Sequence, residues 1–378
     1  MLKKNLMFFL IVGLILSGCQ GFPFQASPAA ILVTAENTAE APSADQPIQT
    51  EPAIAEPIAT HQPSPTPIPD YEVIQMDRLE DLQVVATATV EAPVSILWST
   101  DSSRLGILST NGFSVFSGEN AALLKSIVLA APYSLMDASI EREIIAVTTD
   151  QLSIEFRSMD TGEVLSTLKP DEMFLSGTFR PDGFSFLLSS AYSITAEEWD
   201  VETNQMMSKV EGFETAAPVY NARYNDKGSS IIWTARGTVQ VYDAKTGELG
   251  AVMGHEDFVN SSDLAPNGRM LAAATVGTID GDFKPIVRIW DAFGGQILAN
   301  LPTGESIASH VRFSPDGSLL VVSSGTTVSI WQVQTQANVW QAASQGGNMR
   351  DAKISPDGKT LAIIAENGTL QFMRILKK

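Results

Sequence analysis

Phe313-Ser314-Pro315-Asp316-Gly317 is one member of a set that recurs along the chain as Ile354-Ser355-Pro356-Asp357-Gly358, Phe179-Arg180-Pro181-Asp182-Gly183 and Leu264-Ala265-Pro266-Asn267-Gly268. Weaker copies stand at Tyr224-Asn225-Asp226-Lys227-Gly228, at Trp98-Ser99-Thr100-Asp101-Ser102 and around Ile140-Glu141-Arg142. Pro presets φ at the second position of a turn, Asp favours turn geometry through its side chain, and Gly accepts positive φ. Each copy therefore stops one strand and starts the next. Successive copies lie roughly 40 to 49 residues apart, the period of a four-stranded propeller blade.

The residues around each turn agree with that period. Two positions ahead of the apolar anchor stand Ile96, Ala138, Gly177, Ala222, Ser262, Val311 and Ala352, mostly small. Residues i and i+2 share a strand face, so these positions suit an innermost strand where blades converge. The strand after the turn is apolar nearly throughout, as in Leu319 to Val322, Leu361 to Ile364, Ile231 to Trp233 and Leu271 to Ala274. Such short continuous apolarity predicts burial on both faces. A third strand follows (Val239 to Tyr242, Val287 to Trp290, Val328 to Trp331, Leu370 to Phe372), then a turn such as Asp243-Ala244-Lys245-Thr246-Gly247. The expected fold is all-β, a seven-bladed propeller over residues 76–378.

Ile289-Trp290-Asp291, Gly254-His255 and the Ser-Pro-Asp-Gly turns together resemble the WD-repeat family over most of the chain. The resemblance implies structural blade roles for His255, Trp290 and Asp291, with His255 hydrogen-bonded inside its blade. Trp199-Asp200 ends another unit, but most units lack the His and Asp of the family network, so apolar packing is expected to dominate. The last unit has three strands, and the resemblance implies that the stretch at about 80–88 supplies its fourth. Closing the ring in this way removes an open sheet edge.

Upstream, Lys3 and Lys4 precede an apolar run from Leu6 to Leu16, and Leu16-Ser17-Gly18-Cys19 follows. A charged start, a short apolar core and small residues define a secretory signal, and the run is short for a transmembrane helix. Leu-Ser-Gly-Cys resembles the lipobox of bacterial lipoproteins, which implies a signal peptide at 1–18 and acylation of Cys19. Cys19 is the single cysteine, so an intramolecular disulfide is excluded. Residues 19–75 turn abruptly rich in Pro, Ala, Thr, Glu and Gln. Such composition does not offset ordering entropy and is expected to form a disordered tether. Its reach is on the order of 40 Å as coil and up to roughly 150 Å as extended polyproline.

The formal net charge of −19 disfavours nucleic acid and direct contact with anionic headgroups. Of three histidines, His61 falls in the tether, His255 ahead of a blade, and His310 on an inner strand. No HExxH, phosphate loop or Gly-x-Ser-x-Gly nucleophile elbow occurs, and no catalytic residue, metal or cofactor is assigned. Thr278 to Pro285 lengthens the fifth unit; Asp280 and Asp282 fall short of the six or more oxygen ligands calcium takes, so an exposed turn is expected. Phe283 on that turn, Tyr133 and Phe258 just ahead of inner strands, and Arg236 and Arg350 at the same end are the expected partner-binding positions, because aromatic and Arg anchors dominate interfaces.

The leading expectation is a non-enzymatic, lipid-anchored platform, a monomeric propeller that grips another, unidentified protein of the bacterial cell envelope. Its place would be the outer face of the plasma membrane, or the periplasm or outer membrane of a two-membrane cell. The alternative is a propeller enzyme of lactonase or hydrolase type with a metal at the channel mouth, drawing on Asp137, Asp263, Asp351 and Glu305. A third expectation comes from Asp243 to Glu248, which resembles the turn of quinone-binding-like propellers that include an outer-membrane assembly lipoprotein.

Overall fold

A computed structural model describes residues 32–34, 70–130, 132–150, 152–190, 193–212, 219–235, 237–344 and 346–377. Cys19, the signal segment, His61, Arg236 and most of the expected tether lie outside the described residues. Among the described residues no helix is long and apolar enough to cross a membrane.

The repeats fold as seven antiparallel sheets, six built on a four-stranded meander and the seventh completed by a strand from the front of the chain, which makes the protein an all-β, seven-bladed propeller. Blade 1 runs outward through Pro93–Trp98, Arg104–Ser109, Gly112–Ser117 and Leu123–Val128. The innermost strands of blades 2 to 6 are Ser134–Ser139, Phe174–Phe179, Val219–Tyr224, Ser261–Leu264 and Ala308–Phe313. Blade 7 begins with Met349–Ile354 and Leu361–Ala365, continues through Thr369–Leu376, and takes its outermost strand, Gln83–Thr89, from ahead of blade 1.

The turn chemistry is visible atom by atom. Asp316 Oδ1 accepts the Ser314 hydroxyl at 2.6 Å and the Ser318 N–H at 3.0 Å. Asp101, Asp182, Asn267 and Asp357 each accept the N–H two residues on in the same way. The residue closing the turn sits at positive φ: Gly317 at 76°, Gly358 at 76°, and Ser102 at 63° in blade 1. At Gly317 and Gly358 the absent Cβ makes that conformation inexpensive.

Second strands such as Ile144–Thr148 and Leu361–Ala365 are buried along their whole length. Each lies between two neighbouring blades, so the core is a ring of interfaces. Phe156, Phe179 and Phe186 meet between blades 2 and 3, and Trp98 meets Phe372 edge-on at 6.0 Å across the seam between blades 7 and 1.

Two regions depart from expectation. In the fifth unit the expected exposed turn is there but narrower, because Met270–Ile279 and Asp282–Asp291 stay paired up to Ile279 and Asp282. The hairpin turns on Asp280 and Gly281, both at positive φ as a two-residue turn requires. The ordered body also begins before residue 76. Tyr71–Glu72 pairs with Leu376 and Ile375, a 3-10 helix spans Met76–Asp81, and Ile74, Leu79 and Leu82 enter the core between blades 6 and 7. Leu32–Thr34 adds a short strand to the outer edge of blade 1.

The seam is sealed by Arg374. Its Nε donates to Thr360 Oγ1 at 2.8 Å, Nη1 donates to the Glu119 carbonyl at 2.7 Å, and Nη2 donates to the Gly118 carbonyl of blade 1. Tyr71 covers the guanidinium at 4.6 Å. Removing these donors strands the buried Gly118 carbonyl and leaves the buried Thr360 hydroxyl without its donor, so Arg374→Met is expected to cost about 2–4 kcal/mol, read as a lowered denaturant midpoint. Deleting residues 79–90 reopens the sheet edge and is expected to abolish the cooperative melting transition.

Candidate functional site

The innermost strand of each blade has its ladder partner on one side only, and its outward N–H groups need acceptors. Three aspartates supply them. Asp137 Oδ2 accepts the Phe179 N–H and the Thr178 hydroxyl, both at 2.8 Å, joining blade 2 to blade 3. Asp263 Oδ2 accepts the Phe313 N–H at 2.8 Å, while its Oδ1 meets Arg223 Nη2 at 2.8 Å. Asp351 Oδ2 accepts the Ile96 N–H at 3.0 Å, joining blade 7 to blade 1.

This corrects the convergence drawn for the enzymatic alternative. The three carboxylates serve three different blade interfaces, and Glu305 lies exposed on the connector between blades 5 and 6. Among the described residues no three His, Cys, Asp or Glu side chains gather closely enough to hold a metal ion.

His255 departs from the family pattern. Its ring packs edge-on against Trp290 at 5.4 Å, and neither ring nitrogen has a hydrogen-bond partner. It therefore contributes packing rather than the expected hydrogen bond. Asp291 accepts the Phe293 N–H at 3.0 Å within its own turn, as Asp200 does for Glu202 at 3.0 Å. Burial pushes His255 down to about 4 and pushes Asp137 up to about 6.

The expected partner-binding residues divide. Tyr133 is half-buried, with Arg157 stacked on its ring at 4.9 Å and hydrogen-bonded to its hydroxyl at 3.0 Å. Arg350 is paired with Glu366 at 2.7 Å. Phe258 is 41% exposed and Phe283 is 58% exposed. Both sit on hydrogen-bonded elements, Phe258 on the connector that enters blade 5 and Phe283 near the tip of its long hairpin. The Phe258 carbonyl accepts from Thr275 at 2.9 Å, and Glu256 ties the connector to the long hairpin by accepting the Thr278 N–H and hydroxyl, both at 3.0 Å. At the hairpin tip Asp282 pairs with Lys284 at 2.8 Å.

At the opposite end, where the Pro-Asp-Gly turns lie, is a cavity of about 480 Å³. Pro181, Pro266, Pro315 and Pro356 line it, so the turns that punctuate the fold also build its wall. Lys353 of blade 7 reaches Asp226 of blade 4 at 2.9 Å, an ion pair between blades that are not neighbours in the ring. His310 Nδ1 lies against the Arg350 carbonyl, and burial lowers its pKa. Burial alone would raise Asp351, but the His310 and Arg312 charges hold it below the ordinary value.

Sequence reasoning passed over Arg223, Arg312 and Lys353. The signal was present: the residue just before each anchor reads Leu97, Ser139, Thr178, Arg223, Asp263, Arg312 and Lys353, charged throughout blades 4 to 7.

The fold defines a seven-bladed β-propeller, and comparison with known proteins narrows the repeat type. Residues 295–332 match the WD domain, G-beta repeat. That span holds the outer strand of blade 5 and the first three strands of blade 6. The chain is 30% identical over 138 residues to rat apoptotic protease-activating factor 1, covering 34% of this chain and 10% of that protein. It is 29% identical over 111 residues to the periodic tryptophan protein 2 homolog of Neurospora crassa, covering 29% and 12%. It is 28% identical over 81 residues to human WD repeat and SOCS box-containing protein 1, covering 21% and 19%. The chain thus spans a tenth to a fifth of the length of these relatives. WD-repeat propellers are typically protein-interaction scaffolds.

His255 and Asp137, both half-buried, oppose each other in pH. Between about pH 4 and 6.5 the unfolded chain protonates His255 more than the native one does, so this residue makes stability rise with pH. Between about pH 4 and 6 the native state protonates Asp137 more, so this residue makes stability fall as pH rises. His255→Phe is expected to lose the first slope and Asp137→Asn the second, each worth up to a few kcal/mol across its window. Denaturant midpoints measured from pH 4 to 7 should tilt in opposite directions for the two variants.

Proposed function

We propose that this protein is a non-enzymatic interaction platform, lipid-anchored through Cys19 and displayed on the bacterial cell envelope, where it grips another envelope protein. The observation that carries the proposal is the pair Phe258 and Phe283, exposed aromatics held on hydrogen-bonded elements of one blade. Rigid aromatic anchors concentrate binding energy at interfaces, and their fixed supports reduce the ordering cost of association. The loops between blades and the long hairpin tip lie at the same end of the strands, so one face presents both.

Anchoring follows from the Leu16-Ser17-Gly18-Cys19 motif and the stretch up to residue 69, whose composition suits a spacer between bilayer and propeller. The strong negative charge keeps the partner surface away from anionic headgroups.

Cross-linking in intact cells, followed by capture of the full-length protein and mass spectrometry, tests the platform. Phe258→Ala/Phe283→Ala is expected to reduce recovery of the envelope partner at least tenfold, with the melting temperature unchanged. Equal recovery with both aromatics removed would discard this face. Cys19→Ala is expected to abolish palmitate labelling and release the protein from the membrane fraction.

A further inference from the structure

The cavity at the turn end of the channel carries a charge pattern at odds with the rest of the chain. Against a net charge of −19, its wall holds Arg180, Arg223, Lys227, Arg312 and Lys353, opposed by Asp137, Glu141 and Asp226. Arg223 is spent on blade 5 through Asp263 and the Ser262 carbonyl. Arg312 is spent only in part, as an ion pair with Asp351 that makes no hydrogen bond. Its Nη1 donates to the Val311 carbonyl at 3.0 Å, and its Nη2 stands 3.6 Å from Asp351 Oδ2, beyond hydrogen-bond range. Asp351 is itself engaged by the Ile96 and Ala352 N–H groups. A guanidinium offers five N–H donors in a fork that fits a carboxylate, so Arg312 retains donors for a ligand.

Lys353 is the second cation within reach of that space, and its partner is replaceable. The Asp226 side chain is 63% exposed, on a turn, while Lys353 is 14% exposed. An incoming anion can take Lys353 from Asp226 and leave that carboxylate in water. Around the charged floor, the four turn prolines and Trp98, Ile140 and Phe313 give the cavity an apolar wall. A volume of about 480 Å³ lies within the usual range for small-molecule sites.

We propose that this cavity is a binding site for a small organic acid, with its carboxylate between Arg312 and Lys353 and its apolar part against the ring of turn prolines. The site lies at the end of the channel opposite Phe258 and Phe283, so ligand and protein partner use separate faces. Low-dielectric walls strengthen the charge contact, and the apolar ring distinguishes the ligand from an inorganic anion.

Calorimetric titration of the full-length protein with benzoate tests the site, with benzyl alcohol as its neutral counterpart and inorganic phosphate as an anion lacking an apolar part. Benzoate is expected to bind at one site, at least tenfold more tightly than either comparison compound. Arg312→Gln is expected to weaken benzoate at least tenfold. Asp226→Asn, a change on an exposed turn, is expected to strengthen it severalfold by releasing Lys353. No benzoate binding, equal binding to the wild type and Arg312→Gln, or binding unchanged or weakened in Asp226→Asn would overturn the proposal. Phosphate or benzyl alcohol binding as well as benzoate would do the same. Should Arg312→Gln fail to fold, the Asp226→Asn titration decides alone, since its effect runs opposite to damage.

Discussion

Each inner strand of the propeller is a sheet edge that has no further strand to pair with, and the rest of the structure depends on how its free N–H groups are satisfied. A barrel solves the edge problem by continuous pairing; a propeller leaves the edges facing a channel. Here the preceding blade supplies side-chain acceptors: Asp137 for Phe179, Ser189 for Ala222, Asp263 for Phe313 and Asp351 for Ile96. Each bond fixes the lateral position of one blade against the next. Apolar second strands can then stack at a constant offset, because dispersion packing alone tolerates sliding that a hydrogen bond does not.

The same constraint explains why the seam needs special treatment. Six interfaces join blades that follow one another in the chain, whereas blades 7 and 1 meet only through closure. Gln83–Thr89 completes blade 7 from the front of the chain, and Arg374 reaches from blade 7 to the carbonyls of Gly118 and Glu119. A buried cation satisfied by carbonyls and an aromatic face is costly to desolvate, so it stabilises the ring only when every donor finds its acceptor. Tyr71 covers the Arg374 guanidinium, while the 3-10 helix packs Leu79 into the neighbouring interface of blades 6 and 7, so residues 70–75 belong to the folded body although their composition had suggested a tether.

Much of the architecture was legible because its carriers have intrinsic chemistry. Pro315, Asp316 and Gly317 mark a turn wherever they stand together, and Leu319 to Val322 can be comfortable only when covered on both faces. The site was less legible. Asp137, Asp263 and Asp351 read as a carboxylate cluster because their partners are backbone N–H groups, which carry no residue signature. Tyr133 read as a free aromatic because its partner, Arg157, lies in the next strand pair of the same blade. The turn expected over Thr278 to Pro285 read as longer than it is, because pairing between Thr278 and Phe283 adds strand where composition suggests a turn. In each case the deciding contact is distant in sequence or belongs to the main chain.

The two ends of the channel are under different constraints, and this bears on where function can reside. At the turn end, Pro181, Pro266, Pro315 and Pro356 serve the fold and the cavity at once, so their variation is limited by the turns they initiate. Charge there enters through the position before each anchor, which changes from Leu97 to Arg312 and Lys353 without disturbing the strand. At the loop end, connectors such as 255–260 and the tip of the long hairpin are held by a few side-chain bonds from Glu256 and Thr275. They carry Phe258 and Phe283 outward at little cost to the core, since neither ring contributes to a blade interface. A large protein contact is thus most easily accommodated at the loop end. A small ligand is favoured at the turn end, where repeated turns enclose a cavity of defined size.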